Sequence, residues 1–238
     1  MSIDDYSTLD IPEFLQFIFY PRKDFTPPPA NSTDHLIRVG KDVAISCRFH
    51  IHSQGSPSIL FFHGNGEVVS DYDYIAPFYN ELGINMLVAD YRGYGSSGGT
   101  PTFTNMVADA HSIFEGFGDI LRQGQYSIDL FVMGRSLGSI PAVELAFHYG
   151  EQIKGLIIES GIGSMGRMMN RLGFSIESLG ITNEEFPNLP KIRAITMPTL
   201  VIHGEYDTIA PPGRGKGALR ARVCRKEAYG DHPWGRSQ

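Results

Sequence analysis

Gly134-Arg135-Ser136-Leu137-Gly138 carries the plainest chemistry in this 238-residue chain. A serine with glycine two places to either side follows an apolar run, residues 130–133, and opens a helix-length stretch. That context places the serine at the apex of a sharp strand-to-helix turn, where the glycines let two backbones pass closely. The helix N-terminus favours negative charge developing beside it. Ser136 is therefore read as a nucleophile. His63-Gly64-Asn65-Gly66 ends another apolar run. It can aim the backbone N–H of Asn65 at a substrate carbonyl, with the N–H of Leu137 as the second oxyanion donor; otherwise it is a tight turn that only packs.

A serine nucleophile needs a base and an acid that orients it. Asp207 follows the last apolar run and gives the chain order serine, aspartate, histidine. Glu205 and Glu159 are competing carboxylates. His232 is the only histidine after Asp207, and so the only base in that order. His63 and His203 also end apolar runs and are expected to orient loops.

These residues need a scaffold that collects strand ends on one side. Short, fully apolar runs at residues 58–62, 85–89, 130–133, 156–158 and 200–202 suit strands buried on both faces. Between them lie helix-length segments, about 71–82, 105–121 and 137–149. The alternation predicts a doubly wound, mostly parallel α/β sheet with its ligand site at the carboxyl ends of the strands. Residues 36–39 and 43–52 alternate apolar and polar, which predicts an antiparallel edge hairpin.

Composition narrows the classes. A hydrophobic content of 42% and 19% charged residues is that of a globular domain. A net charge of −6 gives a nucleic-acid partner no electrostatic support. No apolar run is long enough to span a bilayer, and the acidic start (Met1-Ser2-Ile3-Asp4-Asp5) lacks a signal-peptide pattern. Cys47 and Cys224, the two cysteines, give neither a disulfide framework nor metal-ligand spacing. A cytoplasmic enzyme acting on a small-molecule substrate, without metal or organic cofactor, is the expectation. Oligomeric state is left open.

Four motifs in order, His63-Gly64-Asn65-Gly66, Asp90-Tyr91-Arg92-Gly93-Tyr94-Gly95-x-Ser97-x-Gly99, Gly134-x-Ser136-x-Gly138 and His203-Gly204-x-x-Asp207, resemble the α/β-hydrolase superfamily. They are most similar to its serine-hydrolase branch of monoacylglycerol lipases, prolyl-oligopeptidase-like peptidases and S33-type serine aminopeptidases. The resemblance implies an eight-stranded sheet, a Ser–Asp–His triad and a variable lid over residues 162–190. In that lid Met165, Met168 and Met169 line an acyl pocket or simply pack onto the core. It implies an ester or related acyl hydrolase, with a serine aminopeptidase or thioesterase as the alternative. Residues 1–33 then form an N-terminal extension and 34–212 the core.

Residues 213–238 break the pattern. They hold seven basic and two acidic side chains and no apolar run able to be a buried strand. Read one nucleotide forward, the codons of residues 226–238 admit Lys-Lys-Leu-Met-Val-Ile-Ile-Pro-Gly-Ala-Asp-His-Asn, which looks like the missing strand and histidine loop. The basic tail is therefore expected to be a shifted reading frame, leaving the last strand and helix unmade. His232 then lacks the strand that would hold it, and the rival reading is a catalytically dead, truncated pseudoenzyme or binding protein.

Overall fold

A computed structural model describes residues 6–163 and 188–204. The apolar runs become strands β3 (Ser58–Phe62), β4 (Asn85–Ala89), β5 (Leu130–Arg135), β6 (Ile153–Glu159) and β7 (Thr199–Ile202). With β1 (Ser32–Arg38) and β2 (Ala44–His50) they form a sheet in the order β1-β2-β4-β3-β5-β6-β7. From β4 to β7 all neighbours are parallel. The β1–β2 hairpin joins β4 antiparallel. This is the mostly parallel α/β sheet that the sequence predicts. The expected lack of a final strand and helix concerns residues 205–238, which lie outside the described residues.

The period of two along each strand divides the core. Leu60 and Phe62 of β3 face the larger cluster, with Leu87, Val132, Leu156 and Ile158 of its neighbours. Ile59 and Phe61 face the smaller one, with Met86, Val88, Met133 and Tyr72. Helices α3 (Phe103–Gln123) and α4 (Ser139–His148) cover the larger side, and α2 (Ala76–Glu81) supplies Ala76 to the smaller. A short α5 (Asn188–Ala194) precedes β7.

Two helices differ from their sequence reading. Residues 71–82 are not one helix: a 3-10 turn over Val69–Tyr72 stops, and α2 restarts at Ala76 with Pro77 in its first turn. Pro77 has no N–H to continue a hydrogen-bonded run from the preceding turn, but fits a helix start. Helix α3 begins at Phe103, two residues earlier than its periodicity indicates. Thr102 Oγ1 accepts from Asn105 N–H at 3.0 Å and Asp10 Oδ1 accepts from Phe103 N–H at 2.7 Å.

Asp10 belongs to a segment that sequence reading sets apart as an extension. Helix α1 (Pro12–Ile18) and its flanks instead bury Tyr6, Leu9, Phe14, Ile18 and Phe19 in the larger core cluster. Phe14 and Phe19 both pack on Phe103, with ring centroids 5.7 and 5.3 Å away. Among the described residues no helix is long and apolar enough to cross a membrane.

Candidate active site

Consecutive strands β3 and β4 lie side by side, and the chain then crosses back over β3 to form β5. The order reverses between β3 and β5, so their carboxyl ends flank the crevice where such sheets bind ligands. Ser136 ends one strand and His63-Gly64-Asn65 the other, in register through Phe62 opposite Gly134.

The turn at Ser136 is built by close backbone approach. Ser136 has φ +50°, a left-handed conformation that costs a non-glycine residue about 1–3 kcal/mol and collects at functional sites. A Cβ on Gly134 would fall well inside 3.0 Å of the Gly138 carbonyl, and one on Gly138 well inside 3.0 Å of the carbonyls of Phe62 and His63. Both glycines are thus required by backbone, and the second presses the turn against the loop after β3. Ser139 Oγ donates to Ser136 O at 2.6 Å and accepts from Ile162 N–H at 3.0 Å, tying the turn to the segment after β6.

The β3 loop is held from three directions. Glu67 accepts from Gly64 N–H and from the Tyr72 hydroxyl, each at 2.7 Å, and pairs with Arg135, the residue before Ser136. One carboxylate therefore bridges the nucleophile turn and the oxyanion loop. Burial, with Glu67 alongside, pushes the Tyr72 hydroxyl pKa up. His63 is fully buried, with Nδ1 2.7 Å from Gly64 O and Nε2 3.2 Å from Asp90 Oδ1. It orients the loop, as its position in the sequence suggests, and is sealed from substrate. Finally, Asn65 Oδ1 accepts from Tyr20 N–H at 3.0 Å and from the Tyr94 hydroxyl at 2.8 Å. The Asn65 backbone N–H has no acceptor among the described residues.

Glu159, a competing acid, ends β6 opposite Arg135 and lies 3.5 Å from its Nε. Burial raises its pKa despite that cation. His203 follows β7, half-buried. Asp207, Glu205, His232 and lid residues Met165, Met168 and Met169 lie outside the described residues. Glu67, Tyr20 and Tyr94 are the positioning groups that sequence reading missed. Tyr94 lies within the Asp90–Gly95 motif, whereas Glu67 and Tyr20 carry no spacing signal.

Solved structures share this architecture. Est1E from Butyrivibrio proteoclasticus, seen with ferulic acid bound, superposes with a TM-score of 0.60 at 18% identity, covering 74% of this chain and 81% of that one. The Pyrococcus furiosus esterase Pf2001 gives 0.63 at 19% identity, covering 82% and 80%. The fold is that of an α/β-hydrolase. Within it, the chain belongs to the family described as serine aminopeptidase, S33, whose model matches residues 54–190, more than half of the chain. Human alpha/beta hydrolase domain-containing protein 17B is 32% identical over 182 residues, 73% of this chain. The chain spans 58% of that relative's length.

Proposed function

We propose that this chain is a serine hydrolase acting on carboxylic esters or related small acyl substrates. Ser136 Oγ attacks the carbonyl carbon and gives its proton to the base. The N–H groups of Asn65 and Leu137 hold the oxyanion that forms. The protonated base passes its proton to the leaving oxygen, and water then releases the acyl group by the same steps in reverse. Asp207 orients that base, which is His232 in this frame or the histidine of the shifted frame. Glu67 is a positioning residue, acting through Gly64 and Arg135. The lid residues Met165, Met168 and Met169 contact the acyl chain.

The observation that carries this reading is the left-handed Ser136 on a turn pressed against the β3 loop. Strain at one serine, enforced by two glycines, fits a nucleophile held out toward a ligand better than a packing turn.

Hydrolysis of p-nitrophenyl esters of increasing chain length tests it. Turnover that falls at least about 10³-fold in Ser136→Ala, with the fold retained, is the expected result. Equal turnover in both proteins, or none in the folded parent, contradicts it. The family description supports a second reading, a serine aminopeptidase. An aminoacyl p-nitroanilide cleaved faster than any ester would favour that one.

A further inference from the structure

Helices α3 and α4 bring together a second polar cluster, far from the elbow. Glu144 and His148 stand four residues apart on α4, which places them on one face of the helix. His111 reaches them from α3. Glu144 Oε1 lies 2.8 Å from His148 Nε2 and 3.4 Å from His111 Nε2. One donor atom from each of the three residues falls within 4.8 Å of the others.

These atoms are poorly served by hydrogen bonds. Glu144 is fully buried, yet its Oε1, although 2.8 Å from His148 Nε2, makes no well-directed hydrogen bond among the described residues, and neither does His111 Nε2. Leaving two such atoms buried and facing each other is costly. A cation between them, needing lone pairs rather than protons, would satisfy both. The rest of the cluster is arranged to suit it. Lys191 of α5 holds the other oxygen of Glu144 and orients the carboxylate. The Tyr149 hydroxyl lies 3.0 Å from His111 Nδ1, leaving Nε2 turned inward, as an outer partner does for a metal-bound imidazole.

We propose that His111, Glu144 and His148 form a divalent transition-metal site of the Zn2+ class that clamps α3 to α4. Two imidazoles and a carboxylate are a common ligand set for this ion, and bonds of about 2.0–2.1 Å space tetrahedral ligands roughly 3.3 Å apart. The observed 2.8 and 3.4 Å bracket that spacing. The ligand atoms of Glu144 and His111 are themselves buried and only the outer parts of the imidazoles reach the surface, 12% and 11% exposed; a water entering with the ion would be the fourth ligand. The ten residues of α4 lie between the elbow and His148, about 15 Å of helix, which makes the site structural rather than part of the ester chemistry.

Full-length protein freed of metal by a chelator is titrated with Zn2+, and in parallel with Co2+ followed by visible absorption. The expected result is one ion per chain, a four-coordinate Co2+ spectrum, and a thermal midpoint about 5–10 °C higher at a hundredfold excess of Zn2+ over Kd. The double variant His111→Gln/His148→Gln leaves the Glu144–Lys191 pair intact and should bind at least about tenfold more weakly, without the Co2+ bands. A readout on the parent protein alone is the footprint of diethylpyrocarbonate. Zn2+ should protect His111 and His148 and leave His35 reactive. No saturable uptake below about 100 μM, or uptake with unchanged Co2+ bands in the variant, or no protection of these two histidines, overturns the proposal.

Discussion

The nucleophile turn and the α3–α4–α5 cluster are both polar constructions against one core, but they are held in opposite ways. At the turn the constraint is backbone: Gly134 closes on Gly138, Gly138 presses on the end of β3, Ser136 between them is left-handed, and side chains are added around them. In the cluster the backbone is ordinary helix, and buried charges and imidazoles from separate helices do the joining. A backbone-defined site tolerates changes in its surrounding side chains but not an added methyl group at a glycine. A side-chain-defined site is the reverse, since each partner removed strands another in a medium that solvates it poorly.

The largest expected effect breaks the second kind of construction. Glu144→Ala leaves the Lys191 ammonium buried without its carboxylate and should cost about 3–5 kcal/mol in urea unfolding with chelator present. Lys191→Met, which removes the other charge, should cost a similar amount. A loss under about 1 kcal/mol in both would mean that the pair is not buried as described. At the turn, Gly138→Ala should cost about 3 kcal/mol, because the methyl meets two backbone carbonyls that belong to the central strand β3 and its loop. Gly55→Ala, where an added Cβ meets nothing within 4 Å, serves as the neutral control.

The sheet edge offers a pH-dependent version of the same contrast. Buried Arg48 is paired with Asp34 and Asp73, and His50 lies beside them with Nε2 3.8 Å from Asp73. Burial, then the Arg48 charge, lowers the His50 pKa from 6.5 to about 4. The unfolded chain therefore binds the proton first as pH falls. The resulting stability is fully present above 6.5 and is lost between 6.5 and about 4, by up to about 3 kcal/mol. His50→Asn should flatten that part of the stability profile, and an unchanged slope would contradict the assignment. The smallest effect is at the entry to α3. Thr102→Ala removes one capping acceptor and should cost about 1 kcal/mol, since Asp10 still caps Phe103. Combining it with Asp10→Ala should cost more than the two changes separately.

The same contrast explains what could be read beforehand. Glycine spacing around Ser136 is a backbone requirement, and backbone requirements leave marks at fixed offsets in a sequence. The central strands β3 and β4 were legible because both faces are buried, so their runs are apolar throughout. The β1–β2 hairpin was legible from its alternation, and its register pairs Ser32 with His50. Contacts between distant segments leave no such mark. Nothing near Tyr20 announces that its N–H holds Asn65, and Glu67 carries no sign that it joins Gly64 to Arg135. The burial of Phe14 and Phe19 against Phe103 likewise depends on where α3 begins. His111 is too far in sequence from Glu144 and His148 for ligand spacing to reveal the cluster. The i, i+4 spacing of Glu144 and His148 is its one mark in the sequence, and that spacing alone points to no ligand.

The central claim is that the strained turn presents Ser136 as a nucleophile. Labelling with a fluorophosphonate, followed by peptide mass spectrometry, tests it most directly. The account predicts a single adduct on the peptide containing Ser136, absent in Ser136→Ala and much reduced in Gly138→Ala. A folded protein that takes no label, or takes it on another residue, would contradict it.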